Sequence, residues 1–188
     1  MLPETRAAFL KDAVACFAPL GAKGAVLARS RVPAATLRDI ETAKPLDWLP
    51  AAHALACLHA IDSVGGEDGV RACSIAAIEA SFRAPLLRAF IEAALDTLGV
   101  SPGAVVRTVA RAWPLHYRHA GELVVFDDGP HALRVVHAGL PPLLAERCWR
   151  LSLATCVGRV AALVAPGAVG EPVEEDGKTV YAVRWPQP

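Results

Sequence analysis

Residues 141 to 164, "PPLLAERCWRLSLATCVGRVAALV", open on two prolines and then run apolar around most of a helix's circumference. Leu143, Leu144, Cys148, Leu151, Thr155 and Gly158 form one stripe, and Leu153, Val157 and Val160 lie beside it. Such a helix has to be buried on more than one side. It cannot solve that problem by entering a bilayer, because Arg159 and Pro166 interrupt the run well short of the roughly 20 apolar residues a span needs. The helix is therefore expected to clamp two layers of the same fold together. Its wet side is expected to carry an ion pair between Glu146 and Arg150, four residues apart.

One of those layers is legible on either side of the helix. "ELVVFDD" and "HALRVVHA" are β-rich runs separated by Gly-Pro, so residues 121 to 138 read as a hairpin. "VGEPVEEDGKTVYAVRW" carries Asp176-Gly177 between two more runs, the strongest short hairpin signal in the chain. Its last run places Thr179, Tyr181, Val183 and Trp185 on one face. The two ribbons are expected to join in a small four-stranded antiparallel sheet.

The other layer is helical. Residues 4 to 18 read as an amphipathic helix stopped by Pro19 and Gly21, and "KGAVLARSRVPAATLRDIETAK" as two short helices broken before Pro33. "LDWLPAAHALACLHAIDSVGGEDG" starts at a possible Asp47 cap, repeats Trp48, Ala52, Leu55 and Leu58 at helical spacing, and stops at Gly65-Gly66. The pattern stays helical to Gly99, with Pro85 opening a further helix, and Ser101-Pro102 caps and starts the next one, which ends near Trp113. The fold class is α+β in one domain, residues 1–188: a mainly helical half over 1–113, then a ββαββ half over 121–186.

Composition narrows the function classes. Nineteen Lys and Arg balance nineteen Asp and Glu, leaving no field of one sign to draw in nucleic acid. The N-terminal segment mixes Glu4, Arg6, Lys11 and Asp12 into its apolar residues, unlike the basic-then-apolar order of a signal peptide, so a cytoplasmic location is expected. The five cysteines are expected to be buried free thiols. Cys148 and Cys156, eight residues apart on one helix, stand about 12 Å apart at 1.5 Å per residue and cannot pair.

The stretches "LDWLPAAHALACLHAIDSVGGEDG", "LLRAFIEAALDTLGVSPGAVVRTVARAWPLHYRHAGELVV" and "GKTVYAVRW" carry a resemblance that spans residues 46 to 185 with gaps. The chain is similar to a myxobacterial paralogous family of unknown function. That family's layout resembles haem nitric-oxide-binding sensors, vinyl-reductase-type ligand-binding domains and the Bet-three subunits of TRAPP complexes. The resemblance implies a non-catalytic sensor or interaction module, often dimeric, with an apolar cavity between helices and sheet. It also implies where to look for departures. Haem-binding relatives grip the porphyrin propionates with Tyr-x-Ser-x-Arg, whereas the tyrosines here read "YRHA" and "YAVRW", so neither haem nor any other cofactor is expected. The cysteines that vinyl-reductase-type domains carry around the final hairpin are missing from "EPVEEDGKTVYAVRW", and no metal site is expected.

No G-x-S-x-G elbow, phosphate loop or dinucleotide fingerprint occurs. His53 and Cys57 lie one helical turn apart, with His59 close by, but two further ligands for a tetrahedral metal are not evident beside them. The cluster Trp113, His116, Tyr117 and His119 falls where the helical half meets the first hairpin. It reads first as hinge packing and second as contact with a ligand. The expected function is a non-enzymatic ligand-binding or protein-interaction module, signalling through a dimer or a partner protein, with a small apolar ligand as one possibility. Two alternatives stand beside it: an enzyme using His116 and His119 as acid and base, and a subunit of a larger signalling or motility assembly.

Overall fold

The computed structural model describes residues 1–83 and 101–187, and the helix expected to open at Pro85 lies outside them. Two antiparallel sheets and a set of helices make up an α+β architecture. A short strand β1 (Glu4–Arg6) leads into helix α1 (Ala7–Ala15), followed by α2 (Gly21–Arg31) and α3 (Ala34–Thr42). Strand β2 (Trp48–Pro50) precedes the long helix α4 (Ala52–Arg83), and α5 spans Pro102–His116. Strands β3 (Tyr117–Arg118), β4 (Glu122–Asp127) and β5 (Ala132–Ala138) come next, then helix α6 (Arg147–Ala161) and strands β6 (Val169–Glu175) and β7 (Lys178–Arg184).

The expected four-stranded layer is present, in the order β4-β5-β7-β6. The two ribbons join because β5 pairs antiparallel with β7, Leu133 opposite Val183 and Val135 opposite Tyr181. The turn between β6 and β7 holds Asp176 at φ 51° and Gly177 at φ 70°, the doubly positive geometry that twists with a hairpin. Helix α6 is buried on more than one side, with Cys148, Leu151, Thr155, Val157 and Val160 all covered. Ser101 caps α5 by accepting the Ala104 amide at 3.2 Å.

Several local expectations give way to tertiary pairing. Residues 4 to 6 are strand rather than helix, because β1 sits between β2 and β3 in a second sheet of order β2-β1-β3. Trp48 belongs to that sheet and not to the helix after it. Arg6 and Arg118 stack on its ring at 3.7 and 4.0 Å, and Pro50 is accommodated because β2 is an edge strand. Asp47 accepts the Lys44 amide at 2.7 Å in a turn instead of capping a helix.

The helix stop at Gly65-Gly66 is a break within α4, where Gly66 takes φ 59° and ψ −154°, a region essentially reserved for glycine. Helix α5 runs past Trp113 and carries Pro114 in its final turn, where Tyr117 closes the helix by donating to the Trp113 carbonyl. Glu146 and Arg150 do not pair with each other: Glu146 meets His59 and Arg150 reaches Glu174. Cys57, Cys73 and Cys148 are buried as expected, whereas Cys16 and Cys156 are only partly covered; none of the five is in a disulfide. No helix among the described residues is long and apolar enough to cross a membrane.

Candidate functional site

Two clusters of buried side chains flank α6. One gathers Leu10, Leu55, Ile61 and Trp149 among the N-terminal helices, and the other gathers Val105, Val135, Val157 and Tyr181 against the four-stranded sheet. Between them lies a cavity of about 130 Å³, walled by α1, α4, α5 and α6. Its lining is apolar apart from a few small or weakly polar groups: Ser74, Ser81, Ser152, three cysteines, His116 and the buried Tyr117. Ser74 donates to the Ser152 hydroxyl at 2.8 Å, so those two polar groups satisfy one another across the α4–α6 seam.

The three thiols on the cavity wall are held protonated. Burial pushes Cys57 and Cys156 up to about 12 and Cys73 to about 11, so all three stay protonated at neutral pH and offer neither nucleophile nor ready anion.

Three of the four residues singled out at the junction reach this cavity. Trp113 is buried, donates from Nε1 to the Gly121 carbonyl at 3.0 Å, and stacks on Tyr117 with ring centroids 4.0 Å apart. Tyr117 in turn meets Trp149 edge-on at 5.7 Å and Phe9 at 5.8 Å. This aromatic stack joins the end of α5, α1 and α6. His116 stands at the rim, 6.4 Å from the Phe9 ring. Burial, with the nearby Arg6 charge, lowers its pKa, so the imidazole is neutral at pH 7. His119 is exposed in a left-handed conformation at φ 52°, outside the cavity lining, so the two histidines do not face one site.

His53 is held by Asp39 at 3.1 Å, while Cys57 faces the cavity, so this pair does not share a ligand position.

One buried pair went unread in the sequence. His137 Nε2 donates to the Ala120 carbonyl at 2.7 Å, and its Nδ1 accepts from the Tyr181 hydroxyl at 3.0 Å. The ring also meets Trp113 edge-on at 5.5 Å, which ties the sheet to the junction. The signal was available, because Leu133, Val135 and His137 alternate inward along β5.

No protein-family model matches the chain, and no curated protein matches it. Solved structures do. An H-NOX protein from K. algicida, described as Fe(II) unliganded, superposes with a TM-score of 0.58 at 10% identity, covering 97% of each chain. A mutant of the T. tengcongensis H-NOX superposes at 0.50 and 12% identity, covering 97% of this chain and 98% of that one. A Cs H-NOX mutant gives 0.50 at 11%, covering 97% of both. The chain has the H-NOX fold.

These neighbours correct the expectation of no cofactor. It rested on a missing Tyr-x-Ser-x-Arg string, yet the neighbours sharing the fold end to end are H-NOX proteins, one of them described with Fe(II). A short motif that positions propionates is not what makes the fold, so its absence does not remove haem from consideration. The residues present meet a haem's needs in two respects: the walls are apolar, and His116 offers a neutral imidazole as an iron ligand. The open space of 130 Å³ is short of the roughly 300–1,000 Å³ that a larger organic ligand fills, so α4 and α6 would have to part to admit one.

Proposed function

We propose that the chain is a ligand-binding sensor or interaction module, and that the ligand sits in the cavity between α4 and α6. The observation that carries this reading is the apolar, partly open cavity at the junction of the two halves. An apolar cavity of roughly 150 Å³ stays dry and takes up benzene or xenon, so 130 Å³ suits a small apolar molecule as it stands. Haem is the larger candidate that the fold raises; His116 would hold its iron, and Phe9, Leu153 and Val157 would face the macrocycle. A bound haem would supply an iron site for a small gas.

Binding rather than turnover fits the protonated thiols of the cavity wall and the separation of His116 from His119. Output would come from a shift of the helical half against the sheet about the Trp113–Tyr117 stack, passed to a partner protein or to a second copy of this chain. The test is native mass spectrometry of the purified protein together with titrations of hemin and of benzene. Saturable one-to-one binding of either probe, weakened by Ala77→Leu, which fills the cavity, supports the reading. For hemin, His116→Ala should in addition shift the absorbance of the bound form. A chain that emerges empty and binds neither probe overturns it.

A further inference from the structure

His59 lies on α4, and Glu146 and Cys148 lie at the start of α6, yet folding brings them to one spot. His59 Nε2 stands 2.5 Å from a Glu146 carboxylate oxygen, a pairing that spans 87 positions of sequence. The Cys148 sulfur joins them, so that one donor atom from each residue lies within 4.8 Å of the other two. A histidine–carboxylate hydrogen bond is complete without a thiol beside it. An imidazole nitrogen, a carboxylate oxygen and a sulfur together form the mixed donor set that borderline-soft divalent cations take.

We propose that His59, Glu146 and Cys148 form a three-ligand site for a Zn²⁺-class cation that cross-links α4 to the start of α6. Ligand bonds of about 2.0–2.3 Å put neighbouring donors roughly 3.5 Å apart in a tetrahedron, so His59 and Glu146 have to close on the sulfur by up to about 1 Å and their own contact has to open by about as much. Both partners of that contact are exposed and free to rotate, whereas Cys148 is buried and fixes the base of the site. With His59 and Glu146 exposed, a water can complete the fourth position of such a site.

Charge balances: the cation displaces the Cys148 thiol proton to solvent, and thiolate plus carboxylate then neutralise its two charges. Arg147, between the two ligands in sequence, is turned aside by Asp62 at 2.6 Å and Glu67 at 3.5 Å, so its charge is already engaged. Trp149, next to Cys148, lines the cavity, so a metal here would fix one wall of the ligand space.

The test is zinc binding by the full chain after metal stripping, with Co²⁺ as a spectroscopic probe. Wild type should retain one equivalent of Zn²⁺, show the sulfur-to-cobalt charge-transfer band of one thiolate, and melt several degrees higher with metal. His59→Gln, a change at an exposed position, and Cys148→Ser should each weaken binding by more than about 100-fold, beyond what loss of an outer partner costs. If Cys148→Ser fails to fold, His59→Gln decides. Failure of the wild type to retain stoichiometric zinc, or retention unchanged in His59→Gln, overturns the site. Neither result bears on hemin or benzene binding in the cavity.

Discussion

Helix α6 meets its two neighbours in opposite ways. Toward the sheet it is packed to backbone contact: a Cβ on Gly158 would lie 2.3 Å from the Gly170 amide nitrogen, and one on Gly170 would lie 2.0 Å from the Ala154 carbonyl oxygen. Toward α4 the same helix leaves about 130 Å³ unfilled, with Ser152, Leu153 and Cys156 on the wall. Backbone-to-backbone contact needs glycine on both elements and gives the interface a single solution. A cavity is tolerated only where neither side is asked to close, and the lost packing there is a standing destabilisation. The backbone contact with the sheet holds the helix, and the cavity on its other side is left for something else to occupy.

The contrast is broken most directly at the glycines. Gly170→Ala is expected to cost about 3 kcal/mol or more, because the obstructing atoms are backbone and cannot swing aside; urea unfolding measures it. A cost below about 1 kcal/mol would mean that helix and sheet slide apart as easily as the two cavity walls. Tyr181→Phe, on the sheet side, strips the donor from His137 Nδ1 in a buried setting and is expected to lose about 1–3 kcal/mol.

Acid should act on the same network. Burial holds His137 neutral in the folded chain by lowering its pKa, so the unfolded chain takes up the proton first. Stability is then level above the ordinary histidine pKa of about 6.5 and falls as pH drops below it, and His137→Gln should reduce that fall. Unfolding midpoints at pH 8 and pH 5.5 make the comparison, with His116, whose pKa is lowered in the same direction, adding its own part.

The smallest effect is expected on the loose side, and with opposite sign. Ala77→Val, which adds two methyl groups to the cavity wall, should be neutral or stabilise by up to about 1 kcal/mol. A loss as large as that of Gly170→Ala would show that the space is not truly open.

Much of the architecture was legible in the sequence. Asp176-Gly177, the alternation along β5 and β7, and the Ser101-Pro102 cap each depend on residues within a few positions of one another. The apolar girth of α6 required two covering layers and obtained them. The cluster Trp113, His116, Tyr117 and His119 was legible as a junction between a helix and a hairpin; that the first three, and not His119, lie on a cavity wall came from the tertiary structure. The second sheet was not legible. Strands of two or three residues, such as Glu4–Arg6 and Tyr117–Arg118, are too short to show alternation, and only the register between them reveals the strand.

By itself, then, the sequence determined the elements whose hydrogen bonds close locally and the need to bury α6 twice over. The tertiary structure alone decided that Arg6 reaches the Leu115 carbonyl 109 positions away, that Glu146 turns to His59 instead of Arg150, and that α6 meets the sheet backbone to backbone while a cavity stays open beside its seam with α4. Local signals are written by nearest neighbours along the chain. Partners far apart in sequence are selected by which packing of whole elements leaves the least apolar surface exposed, and no window of residues contains that comparison.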